Sequence, residues 1–372
     1  MDSRVVSPSA KKLRDAYAVK KDAPVFMKEF GYYSLDRWIA EGHIECAADL
    51  DAICGFDGPG SHYLGNMGGC EAPFMPAFKE RILEDRGEHE LVMDPAGRTV
   101  MYFKGRRNGF MPEYVSHPVK DRRTWEEKCK WRMDPCAEGR LAGINEALDN
   151  AAPAAAKGLI MTQYVVGGYM YLRSLMGPLE LPLMLYDDPA LVHECMEAWL
   201  GVAEFVTAKH QERVAIDEIL IDEDICYKTG SLISPDMVEE FLLPYYRRLI
   251  EGVKGRQPGK ERLHVQVATD GYCPPVIPLY ESVGMDVMSP FEAAANNDVI
   301  EIGKKYPNLV ISGGMDKRAL AAGKGAIDEM VGRIMPVMKK RGGYIPTCDH
   351  GVPEEVDFGD YVHFRKRLSE YA

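Results

Sequence analysis

The chain has 372 residues, 46% of them hydrophobic and 27% charged, with a formal net charge of −12. That composition suits a large globular core, and the acidic balance speaks against nucleic acid and against an anionic membrane surface as partners. No apolar run of about 18 residues offers a membrane span, and the opening MDSRVVSPSAKKLRDAY lacks the apolar core of a signal peptide.

The nine cysteines are scattered and form no CxxC, which points to a reducing cytoplasm rather than a disulfide framework. Residues 8–22 are predicted as a polar helix, and Val25-Phe26-Met27 as a first strand. SLDRWIAE (34–41) reads as a helix capped by Ser34, and ELVMDPAGRTVMYF (90–103) as a hairpin turning at Asp94-Pro95-Ala96-Gly97. TWEEKCKWR (124–132) reads as a helix capped by Thr124. Residues 1–155 are expected to form an N-terminal elaboration, and 156–372 the main body of one integrated catalytic domain. From residue 159 onward short apolar strands alternate with helices. The strands are LIMTQYV (159–165), EILIDED (218–224), LHVQVAT (263–269), MDVMSP (285–290), NLVISGG (308–314) and GGYIPT (342–347). The helices fall at 189–215, 235–254, 274–284, 296–305 and 325–340. Such alternation implies a parallel sheet, either an open doubly wound one or a closed barrel. Polar residues at nearly every strand end favour the barrel, where active sites are built at that rim. Neither GxGxxG nor GxxxxGK[ST] is present, so nothing suggests a nucleotide cradle.

Several strand ends carry chemistry. Asp222-Glu223-Asp224 sets three carboxylates side by side; in a cleft they would raise a pKa or hold a cation, and on a surface they would be a solvated turn. Asp270-Gly271 reads as a tight turn with an acid, and Asp316-Lys317 as an acid and a base just past a strand. His264, inside its strand, could point into a barrel or be a satisfied core histidine, and is expected as the latter. Cys348-Asp349-His350 gathers a thiol, a carboxylate and an imidazole. That donor set suits Zn²⁺; alternatively, Asp349 orients His350 for acid–base work. Arg106-Arg107 and Arg173 can supply guanidinium groups for an anion.

The order of these motifs resembles the uroporphyrinogen decarboxylase superfamily. GGYIPTCDHGVPEEVDFGDYVHFRKRL, TDGYCPPVIPLYESVGMDVMSPFE, GGMDKRALAAGK, EDICYKTGSLISPDMVEEFLLPYYRRLI and LRSLMGPLELPLMLYDDPALV are similar to its segments in order and spacing. The resemblance covers residues 159–372 well and the first 120 more loosely. It implies a (β/α)8 TIM-type barrel with an N-terminal helical and hairpin elaboration, and a site at the strand C-termini. One branch of that superfamily decarboxylates a tetrapyrrole and carries an N-terminal Arg-Gln-Ala-Gly-Arg-Tyr-like segment. FKGRRNGFMPEY (103–114) is only superficially like it. The other branch transfers methyl groups to or from a corrinoid protein. In its thiol-activating members zinc sits on a His-x-Cys pair and a later Cys; here Ala268, Asp270 and His350 stand at those places.

The expectation drawn from the resemblance is a methyltransferase moving a methyl group from a small methylated compound, a methoxy aromatic among the candidates, to a corrinoid protein. Glu223, Asp270 and His350, with Cys348 as a further donor, would hold zinc or polarise the leaving oxygen, with Asp224 beside them. Tyr164, Tyr169 and Arg173 would line the substrate pocket, supported by Lys228 and Asp316. A homodimer is among the expected assemblies. The alternatives are a tetrapyrrole decarboxylase and a non-catalytic barrel that carries a corrinoid or tetrapyrrole.

Overall fold

The structure is a computed structural model and describes residues 6–105, 112–259 and 262–372. Arg106 and Arg107, expected as anion-binding groups, lie outside the described residues. Seven parallel strands form one sheet: β1 (Ser61–Leu64), β2 (Ile160–Val166), β3 (Glu218–Asp222), β4 (His264–Thr269), β5 (Val287–Pro290), β6 (Val310–Ser312) and β7 (Tyr344–Ile345). They neighbour one another in strict chain order. Sequential parallel neighbours joined by helices curl into a barrel, and the fold is a TIM-type barrel with an N-terminal helical and hairpin elaboration.

Alternation along each strand divides the side chains. Leu64, Met161, Ile219, Ile221, Val265 and Val267 point outward into the main core, against the surrounding helices. Ile160, Val287, Val310 and Ile345 point inward. They meet Leu13, Ala16 and Tyr17 of helix α1 (Pro8–Tyr17), so this helix plugs the barrel floor. His264 is also inward, near the floor; its ring nitrogen bonds Asp286 at 2.9 Å and its ring packs edge-on to Tyr17. It is satisfied, as expected, and it also points into the barrel. Outside the barrel run α2 (Gly168–Met176), α3 (Pro189–Gln211), α4 (Pro235–Phe241), α5 (Leu243–Arg256), α6 (Lys324–Arg341) and α7 (Phe358–Ser369). The helix expected over 235–254 is two, broken at Leu242 because Pro244 lacks an amide proton.

The first barrel strand is β1, not Val25-Phe26-Met27. Residues 23–32 instead run extended between the two edges of the sheet. On one side Met27 and Asp57 bond through backbone and carboxylate, leading into β1. On the other, Tyr33 N–H donates to Val352 O and Val352 N–H to Gly31 O, just past β7. The segment takes the place of an eighth strand, held by side chains and a few isolated bonds rather than a ladder.

The expected hairpin is present as His89–Met93 and Thr99–Phe103, and it belongs to a four-stranded antiparallel sheet with Arg81–Arg86 and Glu113–Ser116. Asp94 accepts from the Arg98 amide and guanidinium (2.8 and 2.7 Å), and Gly97 turns at φ +78°. Two caps differ from expectation. Ser34 stands at its helix start but makes no cap bond. Asp121, not Thr124, caps the short helix Arg122–Thr124 at the start of the stretch expected over 124–132, in a capping box with Thr124.

Candidate functional site

Three consecutive acids leave the end of β3 in three directions. Asp222 keeps the inward phase and accepts from the Tyr164 hydroxyl at the barrel mouth. Burial raises its pKa; the Tyr164 bond opposes this, and the charges of Asp224 and Asp270 add to the rise. Glu223 takes the outward phase and is fully buried. Its carboxylate accepts the Tyr169 amide (2.6 Å) and the Tyr246 hydroxyl, and that hydroxyl in turn accepts the Gly168 amide (2.6 Å). Burial pushes the Glu223 carboxyl up to about 7. Gly167 permits this approach: a Cβ there would sit 2.6 Å from Glu223 Cα. Asp224 turns back at φ +42° and pairs with Arg173 of α2 at 2.9 Å.

The Cys348-Asp349-His350 triplet also splits. Cys348 is buried, its amide on Glu29 (2.8 Å), and Glu29 also meets Arg365 and Tyr361 of α7. Asp349 is buried too; it accepts the amides of Ala293 (2.8 Å) and Lys317 (3.0 Å), joining the loops that follow β5 and β6. Only His350 faces the mouth. Its Nε2 lies 3.4 Å from Asp270 Oδ2, and its Nδ1 lies 3.3 Å from the hydroxyl of Tyr33, a residue 62% exposed. Phe30 and Tyr33 flank its ring at 5.3 and 5.7 Å. Asp270 raises the His350 pKa by hydrogen bond and charge, against burial. Beside this pair, Lys317 and Glu292 bond at 2.8 Å, and Glu292 accepts the Gly271 amide.

The structure thus brings Tyr164, Arg173, Asp224, Asp270 and His350 to the mouth. It does not bring the rest of the expected set there. Tyr169 is 1% exposed, inside the core. Asp316 caps the next helix and pairs with Arg318. Lys228 is exposed on a small hairpin, Cys226–Tyr227 with Gly230–Ser231, and bonds no mouth residue among those described. Zinc needs three or four converging donors. Glu223 is turned to Tyr169 and Tyr246, and Cys348 lies under Glu29. Among the described residues no three His, Cys, Asp or Glu side chains gather as a metal site. The Glu223–Asp270–His350 set is not assembled, and these residues do not fit the ion.

Two groups escaped the sequence reading. Asp222 stood in view but carried no assigned role; strand alternation is the signal that would have chosen it over Glu223. Lys28 gives no signal in the sequence. It sits in the eighth-strand segment two residues after inward Phe26, in the field of Glu218 and Glu29. Burial lowers its pKa, against those two carboxylates. Glu218 itself holds Tyr17 and Thr162, each at 2.6 Å. Tyr63, on the inner face of β1, is nevertheless 54% exposed, so the interior is open toward the mouth.

The family model described as uroporphyrinogen decarboxylase (URO-D) matches residues 107–371. Among curated relatives, a uroporphyrinogen decarboxylase from Saccharopolyspora erythraea is 28% identical over 184 residues, 47% of this chain and 48% of that one. One from Anaeromyxobacter sp. is 27% identical over 213 residues, 57% of each. The chain spans about half the length of the curated relatives it matches. Among solved structures, a methyltransferase from Methanosarcina mazei covers 98% of both chains with a TM-score of 0.62 and 13% identity, a likeness of fold. No helix among the described residues is long and apolar enough to cross a membrane. With most of its length matched by one family model, and a barrel whose strand ends carry the polar groups, the chain belongs to the uroporphyrinogen decarboxylase family.

Proposed function

We propose that the protein transfers a methyl group from a small methylated compound to a corrinoid protein. The observation that carries this reading is the Asp270–His350 pair. The carboxylate engages one ring nitrogen and favours the imidazolium, while the other nitrogen meets only an exposed, displaceable tyrosine hydroxyl. That is the arrangement of a general acid. As the methyl leaves, its electron pair stays on the heteroatom, and the Nδ1 proton of His350 caps that pair. The corrinoid supplies a Co(I) nucleophile when its carrier docks. Tyr164 and Asp222 fix the opposite wall, and Arg173 holds Asp224 in its turned-back conformation.

The mouth's charge supports the same choice. Asp222, Asp224 and Asp270 share one field, and among the described residues the basic groups beside them, Arg173, Lys317 and His350, are each paired. A polycarboxylate would displace those pairs at a cost in desolvated charge.

Methyl transfer to added cob(I)alamin, followed by its absorbance change, tests the reading. Methoxy aromatics and methylated amines serve as donors, with His350→Ala as control. No transfer from any donor overturns it. One observation favours the other branch: Lys28 offers an ammonium to a carboxylate inside the barrel. Loss of CO₂ from uroporphyrinogen by the purified protein would establish that alternative.

A further inference from the structure

The interior of the barrel is charged oppositely at its two ends. Near the floor stands Lys28. Its carbonyl accepts from Arg365 at 3.0 Å, but its ammonium makes no hydrogen bond or ion pair with any described residue, and the nearby carboxylate of Glu218 is already held by Tyr17 and Thr162. Near the mouth stand Asp222, Asp224 and Asp270. Asp222 lies four residues beyond Glu218 on β3, about 13 Å along a parallel strand. The lysine stem of four carbons reaches into that span from below. What remains is the length of a small molecule. Along it lie the rings of Tyr63, half open to solvent, and Tyr164.

We propose that the barrel grips its methyl donor at both ends, as a small zwitterion: a methylated, positively charged nitrogen lies among Asp222, Asp224 and Asp270, and a carboxylate lies on Lys28. The proposal rests on the methyl-transfer reading and narrows it from any small methylated compound to one class. A methylated ammonium has few or no N–H donors. It is therefore recognised by ring faces and by a diffuse negative field rather than by directed bonds, and the mouth offers both. A carboxylate entering the interior needs a cation that is not already taken, and Lys28 meets that requirement. In the reaction the C–N bond breaks, and its electron pair stays on nitrogen, which becomes a neutral amine. The methyl passes to the Co(I) of the corrinoid protein. His350 then protonates the amine and prevents it from reclaiming the methyl.

Calorimetric titration tests the two ends separately. The probes are trimethylammonium carboxylates with two- to four-carbon chains, tetramethylammonium as the cation alone, isovalerate as the anion alone, and 4-methoxyphenol as a neutral methyl donor. A zwitterion of fitting length is expected to bind at least ten-fold more tightly than either single charge. Lys28→Gln should erase its advantage over tetramethylammonium, Lys28→Arg should keep most of it, and Asp270→Asn should weaken both cation-bearing probes alike. Tighter binding of 4-methoxyphenol, or unchanged selectivity in a folded Lys28→Gln, overturns the proposal. The cob(I)alamin assay separates the two failures. Transfer from methoxy aromatics alone sinks the zwitterion and leaves methyl transfer standing. Tight zwitterion binding with no transfer from any donor keeps the two-ended site and sinks the methyl-transfer reading.

Discussion

The end of β3 and the segment after β7 each present three consecutive polar residues, and they use them in the same way. In both, one residue reaches the mouth by its phase, Asp222 or His350. In both, a neighbour is buried and bonds backbone amides: Glu223 takes Tyr169, and Asp349 takes Ala293 and Lys317. A dense polar run at a strand end is therefore half chemistry and half carpentry. The two halves should respond to substitution in opposite ways.

The largest expected effect is at His350. His350→Ala should lower the methyl-transfer kcat by roughly 10²–10⁴-fold while leaving the thermal midpoint nearly unchanged. Loss of stability instead would place His350 with its buried neighbours. Next is Glu223. Glu223→Ala strands the Tyr169 amide and the Tyr246 hydroxyl and should cost about 2–5 kcal/mol by urea unfolding, more than Asp270→Ala costs. Its pH dependence sharpens the point. Because the native pKa is raised to about 7, its contribution is fully present below the unfolded value. It falls as pH rises from there through about 7. Glu223→Gln should remove that slope while keeping the fold. An identical slope in the variant would assign it to another group.

Smaller is the shift from Asp270→Asn. The raised His350 pKa keeps the imidazolium to higher pH, so the variant's basic limb of kcat against pH should move to lower pH. An unmoved limb would exclude His350 as the acid. Smallest is Arg173→Gln. Its half-buried pair with Asp224 should contribute at most about 1 kcal/mol in a double-mutant cycle, with KM affected more than kcat.

Much of the barrel was legible in the sequence because parallel strands are buried on both faces and read as apolar runs. All six strands expected after residue 158 lie where the runs do. The first strand was not legible. SHYL is short and mostly polar, whereas the more apolar Val25-Phe26-Met27 makes no ladder. The site was half legible. Residue type marked the strand ends, but which member of a run enters the mouth depends on the strand's phase, and phase is lost where the strand gives way to a turn, as the positive φ of Asp224 shows. Lys28 was invisible because its neighbours in space, Glu218 and the inner face of β1, are far from it in the chain.

The extended segment at the barrel's seam has one further consequence. A ladder would fix the direction of every side chain along it. Here Lys28 points inward because Glu29, on the opposite side, is anchored to Arg365, Tyr361 and the Cys348 amide. The orientation of the Lys28 ammonium is thus governed by the C-terminal helix. Changes in that helix can retune what the barrel accepts while every sheet strand and every mouth residue stays as it is.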